Sequence, residues 1–117
     1  MSTTPDDRHE LLRGTLDLLI LRTLVEEPMH GHAIAKHIQQ SSGHVLKVET
    51  GSLYPALHRL EARGWLTASW RHSDKGKRAK YYRLTRLGRK HLPAKHSRWE
   101  TFAQAMRLVL EPSEKMK

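Results

Sequence analysis

The chain predicts a mainly α fold with a small β-hairpin: a winged helix-turn-helix followed by a C-terminal helix. Three observations carry this. Apolar residues recur at helical spacing in three early segments, divided by Pro28 and by Ser41-Ser42-Gly43. After Gly64 the pattern changes to alternation, twice, on either side of a polar turn containing Gly76. Beyond Thr85 helical spacing returns and reaches Leu110.

The first nine residues are acidic and polar; they are expected to be unstructured and do not form a signal peptide. A helix is expected from about Glu10 to Glu26, ended by Pro28. Its leucines and Ile20 occupy more than one stripe, so it is buried on several sides. In a chain of 117 residues the second side implies another subunit, met through Leu12, Leu16 and Leu19. Met29-His30-Gly31-His32 reads as a turn. A second helix is expected from about Gly31 to Gln40, with Ile34 and Ile38 one turn apart. Val45-Leu46-Lys47-Val48 reads as a short β-prone piece.

In the next stretch, Glu49 to Leu66, Ser52 is expected to cap a third helix, with Pro55 in its first turn and Gly64 as its stop. Leu53, Ala56, Leu57 and Leu60 share one face. Pro55, His58, Arg59 and Ala62 share the other, with Ser52 and Tyr54 at its leading edge. Trp65 to Arg71 and Lys80 to Leu84 read as strands of a hairpin with a long basic tip. Thr85 is expected to cap the final helix. Leu92, Trp99, Phe102, Ala103, Met106 and Leu110 form its apolar stripe, and Pro93 predicts a kink or break near Leu92. Residues 111–117 are expected to fray. The organisation is then 1–9 as an unstructured segment, 10–85 as a winged-helix domain, and 86–117 as a C-terminal helix and tail.

Charge points to a partner. The net charge is +9, but residues 51–98 carry 13 Lys and Arg against 2 Asp and Glu, whereas residues 1–50 carry 5 against 7. A solvated face mixes signs; a one-signed block inside a folded region is a surface for a polyanion. The third helix has short side chains on its outer face and can enter a major groove about 12 Å wide. The basic tip can lie on phosphates or in the adjacent minor groove. The candidate DNA-contacting residues are therefore Ser52, Tyr54, Pro55, His58, Arg59, Lys75, Lys77, Arg78 and Lys80, with Arg59 the candidate for a bidentate guanine contact.

Other chemistries are poorly served. There is no cysteine, hence no disulfide or thiolate. No apolar run approaches the roughly 18 residues of a membrane span. Nine histidines are scattered without ligand spacing, so no metal is expected. No Gly-x-Ser-x-Gly, phosphate-cradling loop or carboxylate pair stands in the basic half, and the chain reads as a non-enzyme without cofactor. The reading from a different class is a protein-interaction module whose basic face meets an acidic partner. A salt titration on duplex DNA separates the two.

Residues 11–25 (LLRGTLDLLILRTLV), 28–34 (PMHGHAI), 49–64 (ETGSLYPALHRLEARG) and 78–88 (RAKYYRLTRLG) together resemble the PadR family of bacterial transcriptional regulators. The resemblance spans about residues 10–110. It implies a winged-helix DNA-binding domain, a C-terminal helix that dimerises, and a repressor of a nearby operon. Its single terminal helix resembles the short subgroup. The homodimer is expected to use Trp99, Phe102, Met106 and Leu110 beside the first helix, and to bind a pseudo-palindromic operator in the bacterial cytoplasm, associated with the nucleoid. Some short members hold flat aromatic compounds at such an interface. Trp99 is accordingly the candidate ligand residue, for a planar aromatic effector, cationic ones included. Two departures stand out: His32 occupies a position where an aromatic residue is common, and Pro93 interrupts the terminal helix.

Overall fold

The computed structural model describes the backbone of residues 5–72 and 75–111, and their side chains from residue 14 onward. The elements are α1 (Pro5–Thr23), β1 (Met29–His30), α2 (Gly31–Ser41), α3 (Thr50–Ala62), β2 (Leu66–His72), β3 (Arg78–Leu84) and α4 (Arg86–Leu110). The strands form one antiparallel sheet in the order β1-β3-β2. This is a mostly helical winged-helix fold, as the sequence predicts.

The core forms where the helices converge on the base of the sheet. Ile20 and Leu21 of α1, with Leu24 just beyond its end, meet Ile34 and Ile38 of α2 and Leu53, Leu57 and Leu60 of α3, all buried. Each such side chain contributes about 1.5–3 kcal/mol relative to exposure. The hairpin register, Leu66↔Leu84 through His72↔Arg78, sets which side chains join them. Leu66, Ala68, Trp70 and His72 share one face with Leu84, Tyr82, Lys80 and Arg78. Leu66, Tyr82 and Leu84 close the core at the base of this face.

One junction holds α3, the sheet and α4 together. The Gly64 N–H donates to the Glu61 carbonyl (2.9 Å) and the Trp65 N–H to the Leu60 carbonyl (3.0 Å), ending α3 in a Schellman motif with Gly64 at φ 80. The Trp65 carbonyl then accepts from the Thr85 N–H (3.0 Å). The Thr85 hydroxyl donates to the Gly64 carbonyl (2.7 Å) and accepts from the Gly88 N–H (3.0 Å), capping α4. Gly88 is buried so tightly that a Cβ there would overlap the Trp65 carbonyl oxygen and press on Leu84.

Several boundaries differ from expectation. α1 begins at Pro5, so residues 5–9 lie in it, and it ends at Thr23. Met29-His30 is not a turn: it pairs as β1 with Tyr82 and Tyr81. Val45 to Val48 form no strand, and the Leu46 N–H bonds to the Ser42 hydroxyl (3.0 Å). Ser52 is not the cap of α3. The Ser52 and Leu53 N–H groups both bond to the Glu49 carbonyl (3.0 and 2.9 Å), so the first turn closes earlier, with Glu49 as N-cap and no side-chain cap. Pro93 does not break α4, which runs unbroken from Arg86 to Leu110. Arg89, whose carbonyl is left without its helical donor, and Pro93 are both exposed, on a side of the helix that water can reach. The expected fraying of 112–117 lies outside the described residues.

Replacing Gly88 with Ala is expected to lower stability by about 1–3 kcal/mol, since the backbone of Trp65 cannot yield to a new methyl as a side chain could. Thermal unfolding of the variant beside Gly14→Ala, an open position, checks this.

Candidate nucleic-acid interface

The face of the hairpin that closes the core at its base continues outward to the tip. There it presents Trp70, Lys80 and Arg78 toward the outer side of α3. Between them lies an open groove of ≈ 1090 Å³, which the start of α2 also borders. Tyr54 and His58 line it from α3, His30, His32 and Lys36 from β1 and α2, and Trp70, Lys75, Lys77, Arg78 and Lys80 from the wing. Trp70 is 56% exposed, with the Arg78 guanidinium 4.9 Å from its ring centre.

Local contacts fix the walls. The Tyr54 ring lies directly on Gly31, where a Cβ would collide with it. His30 caps α2: its Nδ1 accepts from the Ala33 N–H (3.2 Å), so the ring proton of the neutral form sits on Nε2. The same ring meets Tyr81 edge-on at 5.3 Å, tying β3 to the start of α2. Arg71 lies over Tyr81 at 4.0 Å on the opposite face of the sheet. Among the described residues Lys75, Lys77 and Arg78 have no acidic partner. Lys80 does: its Nζ stands 3.3 Å from Glu61, so its charge is partly met within the chain.

Of the residues singled out from sequence, Tyr54, His58, Lys75, Lys77, Arg78 and Lys80 come together around this groove. Ser52 and Pro55 are exposed on α3 but do not line it. Arg59 is turned away. Its Nη2 donates to Asp17 of α1 at 2.8 Å, and its Nε is buried without a hydrogen-bond partner. The expected guanine contact is therefore corrected: this guanidinium faces α1. Burial pushes the Asp17 carboxyl above its ordinary value, and Arg59 acts against that shift. Trp70, His30, His32 and Lys36 were not anticipated. The alternation that puts Leu66 in the core also puts Trp70 on that face, a signal present in the sequence. His30 carried none while β1 was read as a turn.

The second predicted surface is exposed. Trp99, Phe102 and Met106 are each 44–45% exposed, and Leu110 is more so. Leu16 and Leu19 are half-buried against the core, and Leu12 lies outside the described side chains. Beside Trp99 is a shallow groove of ≈ 240 Å³ shared with Gly14, Leu18, Lys95, Arg98 and Phe102. Its two cations oppose a cationic ligand. Among the described residues no group of three His, Asp or Glu could hold a metal, and no helix is long and apolar enough to cross a membrane.

Comparison with known proteins agrees with this geometry. The model of the transcriptional regulator PadR-like family matches residues 20–94. The chain is 38% identical over 81 residues to the transcriptional regulator Rv3488 of Mycobacterium tuberculosis, covering 69% of this chain and 72% of that one. A transcriptional regulator from Clostridium thermocellum superposes with a TM-score of 0.75 at 30% identity, over 84% of this chain and 95% of that one. A PadR family regulator from Clostridium difficile gives 0.67 at 30%, over 81% and 97%.

Removing Asp17 alone strands Arg59. Asp17→Ala is expected to cost about 3 kcal/mol, toward the lower end for a broken buried pair because Arg59 keeps some contact with water. Asp17→Ala with Arg59→Met recovers most of that stability. Denaturant unfolding of the two variants checks the order.

Proposed function

Because the chain belongs to the PadR-like family of transcriptional regulators, we propose that it is a repressor that binds a specific pseudo-palindromic duplex site as a homodimer. Its work is regulation rather than catalysis. The observation that carries the DNA reading is the groove between α3 and the wing, where Lys75, Lys77 and Arg78 stand without acidic partners among the described residues. One sugar–phosphate strand follows this groove. Lys75, Lys77, Arg78 and, in part, Lys80 meet its phosphates, and Trp70 packs on its sugars. Tyr54, Pro55, His58 and Ser52 then face the major groove on one side, and the wing enters the minor groove on the other. Arg59 acts indirectly, by holding α3 against α1.

The dimer reading rests on the exposed Trp99, Phe102, Met106 and Leu110 stripe, which a second copy covers together with the α1 side of Leu16 and Leu19. Two-fold symmetry then sets the α3 helices about 34–36 Å apart, one turn of duplex. Residues 10–85 supply the DNA-binding part and residues 86–117 the dimerisation helix and tail, and the bound regulator resides on the nucleoid. An effector near Trp99 would be planar and aromatic, and neutral or anionic because of Lys95 and Arg98. It acts by favouring a dimer whose α3 spacing no longer fits the site.

Changing Lys75, Lys77 and Arg78 to Ala is expected to weaken binding to every duplex alike. The salt dependence should flatten by about 0.9 in log–log slope for each phosphate no longer neutralised. An unchanged slope, with binding to an acidic protein abolished instead, would select the protein-interaction reading. His58→Ala is expected to leave the slope alone and broaden the set of sites selected from random DNA. Sedimentation at micromolar concentration is expected to give twice the chain mass; a stable monomer would end the dimer reading.

A further inference from the structure

Residues 86–98, the first half of α4, contain Arg86, Arg89, Lys90, Lys95 and Arg98 with His91 and His96, and no aspartate or glutamate. Arg86, Arg89, Lys90 and Arg98 are exposed, and among the described residues none has an ion-pair partner. Physical chemistry opposes this arrangement. Cations in the first turns of a helix face the positive end of its dipole. Arg86 stands three residues from Arg89 and four from Lys90, so like charges meet on one side of the helix and weaken it. More positive charge gathers beside them: Arg63 and Lys95 lie 5.6 and 5.7 Å from the centre of the Trp65 ring, on which His91 stacks at 4.7 Å. Burial, then the nearby Arg98 and Arg63, hold the Lys95 ammonium below its ordinary value, while Asp17 acts the other way. A local arrangement that breaks so many rules marks a surface that meets opposite charge elsewhere.

This surface is separate from the groove. The wing tip lies beyond His72↔Arg78 and its base is Leu66↔Leu84, a strand length of about 20 Å. α4 starts at the base, where Thr85 is bonded to Gly64. Its basic half therefore begins at the far end of the hairpin from Lys75, Lys77 and Arg78. From Arg86 to Arg98 the helix rises about 18 Å, a length over which a duplex presents roughly ten phosphate charges. Between the cations stand Leu87, Pro93, Ala94 and Ser97, all exposed, with no tryptophan or tyrosine among them of the kind that anchors a protein partner.

We infer that the basic half of α4 is a second DNA-contacting surface, in which Arg86, Arg89 and Lys90 bind the phosphates of duplex beyond the stretch held by α3 and the wing. That duplex is either the flank of the same molecule or a second one. The inference rests on the duplex-DNA reading above, and its test keeps the two apart. The variant Arg86→Ala/Arg89→Ala/Lys90→Ala is compared with the native chain on three substrates: a minimal duplex holding one selected site, the same site with long flanks, and a pair of labelled duplexes read for bridging. On the minimal duplex the variant is expected to bind close to native affinity. On flanked DNA, or in bridging, it is expected to bind more weakly, with the salt slope falling by about 0.9 for each phosphate released. Weakening on flanked DNA identifies the flanks as the partner, and weakening confined to bridging identifies a second duplex. The melting temperature is not expected to fall, because like charges have been removed from a helix start. Native behaviour on all three substrates overturns the inference. So does an equal weakening on the minimal duplex, which would place these residues in the groove. The wing variant run in parallel separates the readings. If it too binds every duplex as the native chain does, the DNA reading itself fails; if it weakens and the α4 variant does not, this inference alone fails.

Discussion

The ion pair between Asp17 and Arg59 is the constraint on which the arrangement of the rest depends. It joins α1 to α3 at 2.8 Å, with Asp17 only 3% exposed and Arg59 keeping some contact with water. The attraction is offset by the removal of hydrating water, which is why the Asp17 carboxyl stays above its ordinary value in spite of its cationic partner. Such a pair adds little net stability, but it fixes the rotation of α3 about its own axis. A different rotation would bury one charge without the other. With Arg59 turned inward, the outer face of α3 is left with Tyr54, Pro55 and His58, and carries no permanent positive charge of its own.

The positive charge beside that face comes instead from the hairpin, through simple alternation. The face that buries Leu66, Tyr82 and Leu84 at one end is the same face that offers Trp70, Lys80 and Arg78 at the other. The groove is a continuation of the core rather than an appendage to it. Its width is set by the packing of α3 against the sheet base, and its far wall by the His30 contact to Tyr81. A register slip of one residue would turn every one of these side chains to the opposite face and destroy core and groove together.

How much of this the sequence disclosed depended on the range of the interaction. The helices, the hairpin and the Thr85 cap are local, and periodicity with turn chemistry was enough for them. The α3 boundary was misjudged because Ser52 is a good cap by type, yet the Glu49 carbonyl closes the turn first. Pro93 was misjudged because the cost of a proline in a helix depends on whether the freed carbonyl meets water. β1 could not be seen at all: two residues have no periodicity, and their strand character comes from β3 alone. Arg59 was the largest miss at the site. Its partner is 42 residues away in the chain, and its place on the outer half of a helical projection concealed how far its side chain reaches back.

The distribution of the tryptophans has a separate consequence. Trp70 stands in the groove, Trp99 on the exposed α4 stripe, and Trp65 under a stack of His91 and cations at the α3–α4 junction. Indole emission depends on the water and charge around the ring, and these three surroundings differ in both. A chain retaining one of the three therefore carries an optical probe confined to one region: the groove for Trp70, the α4 stripe for Trp99, and the α3–α4 junction for Trp65. The molecule has its own label at each place where something is expected to happen, so events that an ordinary titration would merge can be timed separately without attaching a foreign dye.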